Sequence, residues 1–278
     1  MKRIAFLGCA LAGALLCLAA CGGGGGLLGT KQRDAVASQE LQFQTPADGA
    51  PIVTIVTDLG TVKAVLYPQY APMAVANFTG LAQQGYFNGL SFHRIIEGFV
   101  VQSGDATGTG TGGTTIWNGT TFPVEITDKL HNYSGALGMA HTDGDTNSNA
   151  SQFYIVQTAQ DSVDKSAAQT LESLGVRADV ISAYRAAGGA PYLDNLYTVF
   201  GQVYSGMDVV DAIGAVKCDE SGTPENPVLI QSVTVGTYSA AAEAASGASA
   251  PAAASASAPA SPAASAAASS GSAAQSAA

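Results

Sequence analysis

Residues 91–105 read SFHRIIEGFVVQSGD. Phe92 is followed by a cation, Arg94, and then by a run with the period-two alternation of a β-strand, which puts Phe99 and Val101 on one face and Val100 and Gln102 on the other. A guanidinium is thereby tied to an apolar surface a few residues away. Taken alone, Arg94 reads as a surface cation paired with an acid such as Glu97, and Phe99 and Val100 read as ordinary core. What lifts them above that reading has to come from the rest of the chain.

The 278 residues are uneven in composition. Residues 51–238 have the mixture expected of a domain, with a size in the single-domain range, while the ends do not. Charged residues make up only 12% of the chain, so small polar groups rather than ion pairs cover the surface. The formal charge is −10, and loss of Lys2 and Arg3 would take it to −12. No cluster of Lys or Arg lies beyond those first residues, which argues against nucleic acid as a partner.

Met1 to Cys21 has a basic start, an apolar run from Ile4 to Ala20 and the ending Leu18-Ala19-Ala20-Cys21. This is the pattern of a secretory signal peptide over residues 1–20. The ending resembles a bacterial lipobox, which implies a lipid on Cys21 and an extracytoplasmic protein anchored to the cell envelope. The run is slightly short for a membrane span and is followed at once by Gly22 to Gly26. Residues 21–50 read as a flexible tether. Cys218 is then the one thiol left in the mature domain, so the fold is expected to hold without an internal disulfide.

Along the domain, two β-branched runs, 52–57 and 61–67, flank Asp58-Leu59-Gly60 and predict a hairpin. Pro72 opens a helix through Val75, Phe78 and Leu81 that stops at Gly85. Residues 106–113 form a Thr/Gly loop whose glycines imitate a dinucleotide fingerprint, but no helical period follows, so a flexible loop without cofactor is expected. Asp143, Asp145 and Asn147 imitate the opening of a calcium loop. Ser148 stands where Gly is needed and Tyr154 where the bidentate Glu is needed, so a solvated turn is expected instead. His131 and His141 lack partners at ligand spacing, and no metal site is expected. Strands are predicted at 136–140, 153–157, 197–204 and 228–235, with a short helix at 207–213. Leu171, Leu174, Ile181 and Tyr184 mark a helical insertion at about 161–190. From Ser239 to 278 the chain is nearly all Ala, Ser and Pro, a composition that cannot bury a core and reads as disordered.

Four separated blocks resemble the cyclophilin family of peptidyl-prolyl cis/trans isomerases. They are APMAVANFTGL at 71–81, FHRIIEGFVVQSGD at 92–105, GALGMA at 135–140 with NASQFYI at 149–155, and LDNLYTVFGQVYSGMDVVDAI at 193–213. The resemblance implies a mainly β fold: an eight-stranded antiparallel β-barrel capped by two helices, here with the extra insertion. It implies that Arg94 is the catalytic arginine, oriented by Gln102, and that Phe99, Val100, Tyr154 and Leu193 wall a proline pocket. Ala140, His141 and Gln152 fall where the family lines the rest of its groove, and Tyr197 where it often has His. Tyr192 stands where cyclosporin-sensitive members carry Trp, which implies weak inhibition by that drug. Val100 replaces a frequent Met and implies a looser pocket. The expected protein is thus a monomeric isomerase without cofactor, acting on proline-containing segments of exported proteins. The alternative is a proline-peptide-binding or adhesion module without turnover.

Overall fold

The structure is a computed structural model and describes residues 35–248 apart from Ala37. The signal peptide over 1–20, Cys21 and the tail beyond residue 248 lie outside the described residues.

Strands β1 (Pro51–Thr57) and β2 (Gly60–Leu66) form the expected hairpin, with Thr57 opposite Gly60 across Asp58-Leu59. The other strands are β3 (Arg94–Ile96), β4 (Val100–Ser103), β5 (Ala136–Met139), β6 (Phe153–Val156), β7 (Val199–Ser205) and β8 (Ile230–Thr237). They make one antiparallel sheet in the order β3-β4-β6-β5-β7-β2-β1-β8. The sheet curls into a half-barrel. Its seam is bridged where Ser91 pairs with Leu229, Phe92 N donates to Val228 O at 3.0 Å and Ile95 N donates to Gly222 O at 2.7 Å.

Helix α1 (Pro72–Gln83) covers one opening of this half-barrel. Its N-cap position is Ala71, which has no side-chain acceptor, so the free N–H groups of the first turn need a partner from elsewhere. Glu125 supplies it: its two carboxylate oxygens accept from Met73 N and Ala74 N, both at 2.9 Å. The apolar stripe Val75, Phe78 and Leu81 then faces inward, where Phe78 meets Phe87 at 4.8 Å and Phe153 and Phe200 at 5.2 Å between ring centroids. Each such buried side chain contributes about 1.5–3 kcal/mol relative to exposure. The second cap, α4 (Met207–Gly214), packs on β2, β3 and β4.

The alternation read for 99–102 holds from Val100 onward. Val101 points into the main core, while Val100 and Gln102 face away from it. Phe99 is a correction: it precedes β4 in a turn, Phe99 N donating to Ile96 O, and it packs on the outer side with Val100 instead of with Val101. The insertion is two helices, α2 (Lys165–Ser173) and α3 (Ala178–Ala187). Only α3 buries a face, through Val180, Ala183 and Tyr184 against Tyr133. Leu174, one of the residues whose spacing marks the insertion, is 74% exposed beyond the end of α2.

Both flanking segments contribute more to the domain than their composition suggests. Within the tether read over 21–50, Leu41–Phe43 forms a 3-10 turn and Gln42 is buried. The Gln42 amide donates to Gln202 Oε1 and His131 O and accepts from His131 N, at 2.7–2.9 Å. Three polar groups, one of them on the buried Gln202, are satisfied at once, which holds this segment on the domain. The tail read from 239 begins with α5 (Ala240–Ala248), where Glu243 pairs with Lys63 at 2.8 Å.

Candidate active site

The antiparallel register builds the site. Arg94 on β3 lies opposite Gln102 on β4, Gln102 lies opposite Tyr154 on β6, and Tyr154 lies opposite Gly138 on β5. Four residues from four strands thus share one row on the outer face of the sheet. The row ends in glycine for a steric reason: a methyl group at Gly138 would overlap the Tyr154 ring.

Around this row is a groove of about 680 Å³. It is lined by Arg94, Phe99, Val100, Gln102, Ala140, His141, Gln152, Tyr154, Leu193 and Tyr197. Every groove residue named from the sequence except Tyr192 is therefore brought together. Tyr192 is 64% exposed and lies outside the lining, with its ring 5.8 Å from that of Phe99. Val100, Tyr154 and Leu193 are buried and form an apolar floor, while Phe99 and Tyr197 are half-buried at its edge. Gly110 to Gly113 and Thr121 complete the opposite rim.

Arg94 does not pair with Glu97. Its Nη1 donates to Gln102 Oε1 at 3.3 Å, which leaves other guanidinium N–H groups free to point elsewhere. Gln102 Nε2 donates in turn to Gln152 Oε1 at 2.9 Å. Gln152 Nε2 donates to the carbonyls of Gly110 and Gly112, at 3.0 and 2.7 Å. Each amide is oriented by the next, so the guanidinium is braced through two glutamines to the backbone of the Thr/Gly loop. His93, the neighbour of Arg94, is buried, and that burial pushes its imidazole below the usual range against the opposing pull of Asp105. A neutral His93 puts no second cation beside Arg94.

The loop at 106–113, expected to be flexible, is organised around Asp105. This carboxylate accepts from the backbone N–H groups of Thr107, Thr109, Gly110 and Gly112 and from the Thr107 hydroxyl, at 2.7–3.1 Å. Gly112 comes so close that a Cβ there would overlap the carboxylate. Burial pushes the Asp105 pKa up, but the hydrogen bonds from Thr107, Gly112 and Gly110 outweigh it and hold the group at about 2. The sequence did carry a signal for this, an Asp leading a Gly/Thr run, which is the composition of an Asx-type turn. His141 stacks on Tyr197 with centroids 4.5 Å apart, and its ring nitrogens lie 3.0 Å from Thr142 O and 3.1 Å from Leu196 O. It therefore fixes the edge of the groove beside the Asp143 turn. Burial and the Asp143 carboxylate push the Tyr197 hydroxyl up, so it stays neutral.

Because the folded-state pKa of Asp105 is depressed, its contribution is complete above its unfolded value near 3.8 and is lost as pH falls toward about 2. The backbone amide resonances of Gly110 and Gly112 should hold their positions from pH 7 to about 3 and move or broaden together as the pH approaches about 2. Asp105→Ala should show the displaced resonances at neutral pH. Loop resonances that shift already near pH 6, or that ignore Asp105→Ala, would contradict the anchoring role.

Residues 52–235 match the family model described as cyclophilin type peptidyl-prolyl cis-trans isomerase/CLD. Relatives from Staphylococcus saprophyticus and Staphylococcus aureus, provisionally named peptidyl-prolyl cis-trans isomerases, are 38% and 37% identical over 195 and 183 residues. These alignments cover 70% and 66% of this chain and 96% and 90% of those proteins. A Streptococcus pyogenes protein, provisionally named a bifunctional phosphatase/peptidyl-prolyl cis-trans isomerase, is 40% identical over 215 residues, 76% of this chain but only 44% of that longer protein. Among solved structures, a cyclophilin type isomerase from Cryptosporidium parvum, crystallised in the presence of the dipeptide Ala-Pro, is similar at a TM-score of 0.54 and 28% identity. That match covers 67% of this chain and 99% of the other. With its half-barrel, its braced arginine and a family match over most of its length, this chain belongs to the cyclophilin-type peptidyl-prolyl cis-trans isomerases.

Proposed function

We propose that the groove catalyses X-Pro isomerisation in exported proteins as they fold, with Arg94 as the catalytic residue and Phe99, Val100, Tyr154 and Leu193 holding the proline ring. The observation that carries this reading is the bracing of Arg94 by Gln102 directly beside an apolar pocket. An unaided X-Pro bond rotates over tens of seconds or longer, across a barrier close to the ~18–20 kcal/mol of an ordinary amide. At the twisted transition state the amide resonance is lost and the prolyl nitrogen gains a basic lone pair. A donor aimed at that nitrogen is satisfied only there, so it binds the transition state more strongly than either planar ground state. Arg94 suits this role because it stays charged and can spend one N–H on Gln102 while presenting another. The apolar floor holds the ring in place while the preceding carbonyl turns. The Ala-Pro dipeptide named for the Cryptosporidium relative supports a proline-containing ligand here.

A binding or adhesion module without turnover would use the same pocket but would have no need of the Arg94–Gln102–Gln152 chain. In exchange spectroscopy on an Ala-Pro tetrapeptide, wild-type protein should raise the cis/trans rate far above the uncatalysed one. Arg94→Ala should lower kcat/KM about 100- to 1,000-fold, the range for loss of one preorganised donor. A wild type that binds the peptide and leaves the rate unchanged would refute the enzyme and favour the module.

We further propose, from the sequence at 1–21 alone, that Cys21 carries a lipid and holds the domain at the outside of the cell envelope. Metabolic labelling with a lipid precursor should mark the wild type and leave Cys21→Ser unmarked. An unlabelled wild type would refute the anchor.

A further inference from the structure

Tyr154 differs from an ordinary apolar wall because its buried ring ends in a hydroxyl that needs a partner. Burial, with Tyr197 and Asp194 adding to it, pushes this hydroxyl well above its usual range, so it remains a neutral donor. It donates to Asn132 Oδ1 at 2.7 Å. Asn132 is fully buried, and an amide can present its oxygen to Tyr154 only if its nitrogen is claimed from the other side. Asp194 claims it: Asp194 Oδ1 accepts from Asn132 Nδ2 at 3.0 Å and from Asn132 N at 2.8 Å. The second oxygen, Oδ2, lies 2.8 Å from His131 Nδ1 and accepts from Tyr184 Oη at 2.8 Å.

Tyr184 belongs to α3, in the insertion, and packs on Tyr133 with centroids 4.5 Å apart. Asp194 itself directly follows the pocket residue Leu193. One carboxylate therefore joins three parts of the molecule: the 131–132 segment, the pocket-bearing 193–197 segment and the inserted helix. We propose that Asp194 is a positioning residue which, by orienting Asn132, fixes the Tyr154 wall of the proline pocket, and that α3 sets this alignment through the Tyr184 hydroxyl. The inference rests on the reading of this groove as a proline site. It gives the insertion a task, adjusting pocket affinity from a position outside the groove lining.

The geometry predicts where the effects fall. Loosening Tyr154 weakens the grip on the proline ring in planar and twisted states alike, so it raises Kd and KM and leaves kcat nearly unchanged. A hydrogen bond of ordinary net strength corresponds to about a 3- to 10-fold rise in peptide Kd for Asp194→Asn, and Tyr184→Phe, which removes one donor, to about 2- to 4-fold. Both effects should fall below about twofold in a Tyr154→Phe background, because the hydroxyl through which they act is gone. Protein labelled with 13Cζ-tyrosine gives a second readout. The Tyr154 signal, assigned by its loss in Tyr154→Phe, should shift in Asp194→Asn and in Tyr184→Phe. Tyr184→Phe keeps the ring packing, so it still decides the question if Asp194→Asn fails to fold. Equal losses of affinity in the two backgrounds, or a Tyr154 signal unmoved by Tyr184→Phe, would overturn the proposal. Neither readout requires turnover, so a wild type without isomerase activity would refute the isomerase reading separately.

Discussion

The site depends on the pairing of Arg94 with Gln102 across β3 and β4. An arginine side chain is long and costly to immobilise, on the order of 2 kcal/mol of rotamer entropy, so a catalytic guanidinium must be held by something stiffer than itself. Here the stiffness comes from the sheet register, which places Gln102 opposite Arg94 and Tyr154 opposite Gln102. The polar end of the row and its apolar end are therefore set by the same ladder of backbone hydrogen bonds. That shared origin fixes the separation between the guanidinium and the apolar pocket.

Two polar networks support the row from opposite sides. One runs from Arg94 through Gln102 and Gln152 to the loop folded around Asp105. The other runs from Tyr154 through Asn132 to Asp194 and the inserted helix. In the proposed mechanism the first would act on the donor and so on the transition state, and the second on the wall that holds the ring in every state, so that rate and affinity would be set from different parts of the chain.

Much of this was legible in the sequence, for local reasons. Alternation from Val100 to Gln102 and the helical stripe through Val75, Phe78 and Leu81 are short-range patterns, and both appear as read. The groove residues lie in the blocks of family resemblance, except His141, in the turn between two blocks, and Tyr192, which the fold leaves at the surface. Phe99 was placed on the wrong face because strand alternation was extended one residue into a turn. Other features depend on partners far apart in sequence and leave no periodic trace. Gln42 is ordered by Gln202 and His131, Asn132 by Asp194, and Glu125 caps a helix that begins some fifty residues earlier. The composition of the segments holding Gln42 and Glu243 suggests a tether and a tail, yet the hydrogen bonds of Gln42 and the ion pair of Glu243 tie both to the domain.

The central claim is that Arg94 works as a braced planar donor and not merely as a positive charge. Arg94→Lys separates the two, since it keeps the charge but loses the fork that can bond Gln102 and the substrate together. The most direct measurement is the on-enzyme cis/trans exchange rate of a saturating Ala-Pro tetrapeptide, followed by NMR in wild type and in Arg94→Lys. A braced guanidinium predicts a fall of about tenfold or more, a barrier increase of at least about 1.4 kcal/mol, with little change in peptide Kd. An exchange rate in Arg94→Lys within about twofold of wild type, less than about 0.5 kcal/mol of barrier, would contradict it.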